Sequence, residues 1–164
     1  MTSVAVQLTK DHEELQALLH CLAQDAKAPL PGALQATWVS FETQLLRHMD
    51  AEERLLLPLL AASDAAEVAR IRAEHARIRD LLNELGVAVE LHTVREANIS
   101  ELIALLEAHA KHENAQLYRL ASAQASEALE GRVARLLERG VAVTAAAVSN
   151  RLAERKSSSR RARP

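Results

Sequence analysis

The sequence has few of the residues that build disulfide-rich, sheet-rich or membrane-spanning proteins. Its 164 residues include one cysteine, four glycines and four prolines, and aromatic residues make up 2%. The single Cys21 excludes an internal disulfide framework. No apolar run approaches the roughly 20 residues that span a bilayer, and the amino terminus lacks the charged segment of a signal peptide. We therefore expect a cytoplasmic protein without a membrane span.

Helix-forming residues dominate instead. Hydrophobic residues make up 49% of the chain and charged residues 26%, and β-branched residues are scattered rather than gathered in alternating runs. Apolar residues recur at helical spacing along four long segments, which favours an all-α protein. A chain of this length forms one domain with a sizeable core. Four long helices joined by short turns predict an up-down-up-down four-helix bundle.

Capping residues and a proline set the expected course of these helices. The first helix is expected to begin at Thr9 and the fourth at Thr93, because acidic residues follow each threonine. The third begins after Asp64, the first residue of an Asp-x-x-Glu capping sequence. Pro58 lies inside the second helix and should kink it or tighten its last turn.

The chain changes character after the fourth helix. We divide it into a bundle over 1–122, an accessory C-terminal helix over 123–155 and a disordered basic tail over 156–164. From Arg151 onward, six basic residues and one glutamate give a net charge of +5, which leaves −7 for 1–150. The accessory helix and tail are candidate contacts for a protein partner. The acidic bundle argues against dedicated nucleic-acid binding.

A histidine and a glutamate four residues apart occur twice in the sequence. His48 and Glu52 share one face of the second helix, and His109 and Glu113 repeat the pair on the fourth. Both pairs lie inside otherwise apolar faces. One such pair alone would be explained by a half-exposed helix edge, so the repeat carries the argument.

Two further histidines fall at the same height in the predicted bundle. His12 and His48 lie about equally far from the first turn, and His75 and His109 lie about equally far from the third. The four helices therefore place their histidines in one layer. A metal-free bundle used only for interaction would leave this common height unexplained. With the two glutamates added, the candidate metal ligands are His12, His48, Glu52, His75, His109 and Glu113.

The number and type of these ligands indicate the metal. Four imidazole nitrogens and two carboxylates exceed the four ligands of a structural zinc site. They suit two ions bridged by both carboxylates and by an oxo or hydroxo group, with one open position on each ion. Imidazole and carboxylate together suit iron, so we predict two non-haem iron ions, and the sequence leaves manganese and zinc open.

The same residues resemble those of hemerythrin-like, HHE cation-binding domains. The resemblance covers about residues 8–122 and rests on Asp11-His12, His48-x-x-x-Glu52 followed by Glu53 and Pro58, Glu74-His75, and His109-x-x-x-Glu113. It implies a four-helix bundle whose di-iron centre handles O2, nitric oxide or peroxide, or one that senses or supplies iron.

Two departures separate this sequence from the oxygen carriers of that family. Ile71 and Arg79 stand four residues before and after His75, where carriers have a second histidine, and Asn114 stands where they have an aspartate. The ligand set is more similar to that of iron-centre-repair and iron-sensing members.

Two functional hypotheses follow from this ligand set. The first is a di-iron protein that binds or reacts with O2, nitric oxide or H2O2, and whether it turns over peroxide or nitric oxide as an enzyme is left open. The alternative is a non-catalytic iron-binding module that senses iron or delivers it to damaged iron centres.

Several polar residues near the pattern are kept out of the predicted site. Glu53 and Glu74 neighbour candidate ligands in sequence but point about 100° away from them, so we expect them on solvated faces, with a supporting contact to the site as the less favoured alternative. Tyr118 is interpreted as a core or rim residue, and a hydrogen bond from its hydroxyl into the pocket is the less favoured alternative. Three more histidines are expected to pack or to lie on the surface outside the site: His20, His92 and His112.

Overall fold

The computed structural model describes residues 3–27, 32–123 and 126–137, and every regular element in these ranges is helical. The elements are α1 (Val4–Lys27), α2 (Ala33–Ala51), a π-helical turn (Glu52–Leu56), α3 (Leu57–Ala61), α4 (Ala65–Glu90), α5 (Glu96–Ala115), α6 (Leu117–Ala123) and α7 (127–137). The predicted all-α class is confirmed for this part of the chain. The division into a bundle and an accessory helix stays a prediction. The basic tail lies outside the described residues.

The starts of two helices show how packing and capping compete. α1 begins at Val4 rather than at Thr9. Val4 and Leu8 are fully buried, and their packing extends the helix beyond the predicted start. α4 begins after Asp64, as predicted, because the Asp64 carboxylate accepts a hydrogen bond from the Glu67 N–H at 2.9 Å.

The second predicted helix passes through Pro58 by way of a wide turn. In the π-helical turn the N–H of Leu57 donates to the carbonyl of Glu52, one residue further back than in an α-helix. Pro58 has no N–H to donate, so the hydrogen-bond pattern changes beside it. The chain therefore widens before the proline instead of tightening, and Glu52 stands at the start of the wide turn.

The fourth predicted helix is shorter than expected. It begins at Glu96 rather than at Thr93, and it ends at Ala115 rather than near residue 121. Gln116, with φ −115° and ψ −65°, separates α5 from α6. This break lets α6 bury Tyr118 against the same interior as α5.

Two apolar clusters fill the interior on either side of a polar layer. α1 contacts α2 and α5, and α4 also contacts α2 and α5. α1 crosses from the first cluster to the second around His12, and α4 does so around His75. α7 packs on the first cluster. Representative members of the first cluster are Leu8, Leu56, Ile71, Leu117 and Val133, and those of the second are Leu15, Leu45, Met49, Ile78 and Leu102.

Candidate metal centre

The structure brings the six predicted metal ligands together between the two apolar clusters. Five of them are almost fully buried, whereas 14% of the His12 side chain is accessible. The residues come from separate helices, so the group exists only when those helices pack. His12 comes from α1, His48 from α2, Glu52 from the π-helical turn, His75 from α4, and His109 and Glu113 from α5.

The six side chains form two overlapping groups of possible metal ligands. Within each group, one donor atom from each residue lies within 4.8 Å of the others. The first group, called the His12 side, consists of His12, His48, Glu52 and Glu113, and the second, called the His75 side, consists of His75, His109, Glu52 and Glu113. Each side therefore has two histidines of its own, and both sides share the two glutamates.

The Glu52 carboxylate divides its oxygens between the two sides. Its Oε1 lies 3.2 Å from His48 Nε2, and its Oε2 lies 3.4 Å from His75 Nε2. The position of Glu52 at the start of the π-helical turn, four residues after His48, directs the carboxylate into the layer. One carboxylate can therefore contact a cation on each side.

Glu113 is divided in the same way. Its Oε2 lies 3.5 Å from His12 Nε2, whereas its Oε1 lies 3.3 Å from His75 Nε2 and 3.1 Å from His109 Nε2. Glu52 and Glu113 thus offer one oxygen each to the His12 side and one each to the His75 side. This is the geometry that bridging carboxylates require.

Three of the four histidines are oriented by a carboxylate behind them. Each of these imidazoles places its Nδ1 against an acidic side chain, which fixes the ring and leaves Nε2 directed into the layer. The pairs are Asp11 with His48 at 2.7 Å, Glu53 with His75 at 2.8 Å and Glu74 with His109 at 2.9 Å. The fourth histidine, His12, has a buried Nδ1 without a hydrogen-bond partner.

The expectation that Glu53 and Glu74 lie on solvated faces is wrong. Each stands one residue from a candidate ligand and reaches the histidine of the following long helix. Where several helices meet around a layer, a direction about 100° from the ligand leads to a neighbouring helix rather than to water. The signal available in the sequence was an acidic residue directly beside a ligand, as also in Asp11-His12.

Tyr118 combines both placements that the sequence left open for it. It belongs to the first apolar cluster and is 2% exposed, as expected of a core residue. Its hydroxyl nevertheless donates a hydrogen bond to Glu52 Oε1 at 2.5 Å. The Tyr118 hydroxyl oxygen also lies 3.3 Å from His12 Nε2 and 3.2 Å from His48 Nε2. The sequence contains no clear signal of the break between α5 and α6 that places Tyr118 there.

The three remaining histidines lie outside the two groups. His20 is exposed and contacts Gln24, and His92 is exposed at a turn with φ 56°, so both expectations are confirmed. His112 is half-buried. Its Nδ1 lies 3.0 Å from Glu74, and its Nε2 contacts the carboxylate of Glu67, so it supports the side chain that orients His109.

Burial and charge oppose each other within the layer. Burial lowers the pKa of His75, but hydrogen bonds with Glu113 and Glu52 outweigh burial and raise this pKa to about 10. Burial raises the pKa of Glu113, but hydrogen bonds from three histidines hold it well below its ordinary range. The metal-free donors therefore share protons, and a cation must displace those protons from the imidazoles to bind.

Three buried atoms directed into the layer lie 3.1–3.5 Å from an oppositely charged group but lack a well-oriented hydrogen bond: Glu52 Oε2, His109 Nε2 and Glu113 Oε2. A buried polar atom without a partner costs stability, so such atoms call for an explanation. Cations bound on the two sides would satisfy all three. Imidazole nitrogen and carboxylate oxygen are donors that iron accepts, and manganese and zinc accept them as well. The residues present therefore fit two such cations.

A groove between α1 and α5 leads to one side of the layer. Its volume is about 400 Å³, and Leu15, Leu19, Leu45 and Leu106 give it a mostly apolar lining. Of the six candidate ligands, His12 lines this groove. A small molecule in this groove therefore contacts His12.

Of the comparisons with known proteins, the one with protein families finds a match. No curated protein and no solved structure gives a significant match. No helix in the described ranges combines the length and the apolarity needed to cross a bilayer. The family model described as "Hemerythrin HHE cation binding domain" matches residues 3–139, a range that includes all six candidate ligands. The chain therefore belongs to the hemerythrin HHE cation-binding domain family.

Proposed function

We propose that this chain is a non-haem di-iron protein of the hemerythrin type, built as an up-down-up-down four-helix bundle, that binds or reacts with O2, nitric oxide or H2O2. One observation carries the proposal. Glu52 and Glu113 each turn one oxygen to the His12 side and one to the His75 side. Two cations sharing both carboxylates would use every donor in the layer.

The residues of the chain have separate tasks in this proposal. Bound iron would supply the redox chemistry, because it exchanges electrons with O2, nitric oxide and peroxide. The carboxylates behind His48, His75 and His109 keep Nε2 of each ring directed inward. Before metal binds, Tyr118 donates a hydrogen bond to Glu52 Oε1. The apolar clusters on both faces of the layer keep bulk water away from it.

The ligand is expected to be small and to arrive on the His12 side. Each side offers four protein donors, which leaves coordination positions for an external ligand. His12 is the most accessible of the six residues and lines the apolar groove. O2 and nitric oxide partition readily into such a lining, and H2O2 is small enough to follow them.

The proposal is tested on protein purified without chelator. Elemental analysis should find about two irons per chain, and the ultraviolet-visible spectrum should show a near-ultraviolet band that bleaches on reduction. The reduced protein should then react with at least one of O2, nitric oxide and H2O2, whereas metal-stripped protein should not. An iron-loaded sample without such a band, and inert to all three molecules, would contradict the proposed reactivity.

One observation favours the alternative of an iron-sensing or iron-delivering module. His12 is partly exposed and lacks a partner at Nδ1, so iron on that side is held less firmly. In this case iron should pass to an acceptor chelator without any turnover of peroxide or nitric oxide. Iron loading should also raise the thermal stability strongly, because ligands from separate helices convert binding energy into folding energy. Equal melting temperatures with and without iron would count against it.

A further inference from the structure

The hydroxyl of Tyr118 lies where three donors of the His12 side meet. It is 3.3 Å from His12 Nε2, 3.2 Å from His48 Nε2 and 2.5 Å from Glu52 Oε1. All three atoms are ones that the proposed function assigns to the metal on that side. The tyrosine is held there by burial in the first apolar cluster. The Tyr118 oxygen therefore lies among the candidate metal ligands themselves rather than among the residues that orient them.

Two of the three distances match those between ligands of one ion, whereas the third, 2.5 Å to Glu52 Oε1, is that of a short hydrogen bond. Two donors bound at roughly 2.0–2.2 Å, at angles between a right angle and the tetrahedral angle, lie about 2.8–3.6 Å apart. The separations of the Tyr118 oxygen from His12 and His48 fall in this range. So does the distance of 3.2 Å between His48 Nε2 and Glu52 Oε1, two atoms already assigned to the same side.

Without a cation, hydrogen bonds account for all three contacts, because an imidazole N–H can donate to the phenol oxygen. When His12 and His48 bind a cation, each Nε2 directs its lone pair at that cation and no longer shares a hydrogen bond with the phenol. The Tyr118 oxygen then lies beside both nitrogens and within reach of the same cation.

We propose that Tyr118 Oη is a fifth protein donor to the metal ion on the His12 side of the oxidised protein, at the position that an incoming ligand takes when it displaces the phenolate. This inference rests on the proposed function, because it assumes that iron occupies that side. On binding ferric iron, the phenol gives up its O–H bond, an O–Fe bond forms, and the proton leaves to solvent, with no change in oxidation state. An anionic oxygen donor favours ferric over ferrous iron, so the ion on the His12 side should be the harder of the two to reduce.

The spectrum of the oxidised, iron-loaded chain tests this inference. A phenolate bound to ferric iron gives a visible charge-transfer band, and excitation in that band enhances tyrosinate ring vibrations in the resonance Raman spectrum. Tyr118 is the only tyrosine in the sequence, so such vibrations can come from no other residue. The wild-type protein should show both signatures, a measurement that needs no variant.

Tyr118→Phe keeps the buried ring and removes only the oxygen. It should retain two irons per chain and the near-ultraviolet band but lose the visible band and the ring vibrations completely. Wild-type protein with two irons and no tyrosinate vibrations would overturn this inference and leave the proposed function intact. The same holds if Tyr118→Phe keeps the visible band. A chain that binds no iron would overturn both.

Discussion

The His12 side and the His75 side use the same types of donor but hold them differently. On the His75 side both histidines are buried, and each has its Nδ1 fixed by a carboxylate. On the His12 side only His48 has such a partner, and His12 is partly open to the groove. Two groups of possible metal ligands that share both carboxylates therefore differ in how firmly their histidines are held and in how accessible they are.

This asymmetry assigns firm metal binding to one side and access for small molecules to the other. The His75 side is pre-organised, so a cation there meets ligands that are already oriented. On the His12 side, His12 lacks an orienting carboxylate but is accessible from the groove. We therefore expect firmer metal binding on the His75 side and ligand arrival, or metal exchange, on the His12 side.

The largest effect is expected from a change to a shared carboxylate. Glu113→Ala removes the negative charge and both carboxylate oxygens, one from each side, so metal content should fall from about two ions per chain to nearly none. Glu101→Ala is the matched control, because Glu101 is exposed on the same helix. Elemental analysis decides between the two variants. A Glu113→Ala protein that keeps one ion would show that the carboxylate serves one side only.

The next effect distinguishes the sides directly. His12→Ala and His75→Ala should each lower the metal content from two ions to one, but the ion that remains should differ. In His12→Ala it lies on the pre-organised side and should be released slowly to a chelator. In His75→Ala it lies on the open side and should be released faster. Equal release rates would contradict the expectation that the His75 side holds its metal ion more firmly than the His12 side.

A smaller effect is expected from the residues behind the histidines. Glu53→Gln should weaken metal binding on the His75 side by roughly 10- to 100-fold, because His75 loses its charged partner. Glu13→Gln is its control: Glu13 also stands beside a candidate ligand in sequence, but it is exposed. Metal titration of both variants should leave the His12 side unchanged in each. No difference between them would mean that Glu53 does not act through His75.

The smallest effect concerns the pH dependence of the metal-free protein. Hydrogen bonds with Glu113 and Glu52 raise the pKa of His75 to about 10 from an ordinary value of 6.5. Protonated His75 therefore contributes stability fully below pH 6.5, and this contribution is lost as the pH rises through about 10. The melting temperature of metal-free protein should fall across this window. A melting temperature that rises across it would contradict the assignment.

The sequence predicted the parts of the site that depend on helix geometry alone. The spacing of His48 with Glu52 and of His109 with Glu113 placed each pair on one face. Equal distances from the turns placed the four histidines at one height. These inferences need only the rise and the period of a helix, and they also led to the family.

The parts that the sequence analysis missed depend on how neighbouring helices meet. Glu53 and Glu74 point away from their own helix's ligands and become useful only because another histidine stands opposite. Tyr118 enters the site through a break at Gln116 and a new helix direction. The widened turn before Pro58 arises from the loss of one backbone donor. A single-helix pattern contains none of this information.

The most direct test is a calorimetric titration of metal-free wild-type protein with ferrous iron under anaerobic conditions. We expect two ions per chain, bound in two steps of different affinity, with the tighter step weakened by Glu53→Gln. Saturation at one ion per chain, or no binding at all, would contradict the proposal that Glu52 and Glu113 join two metal positions.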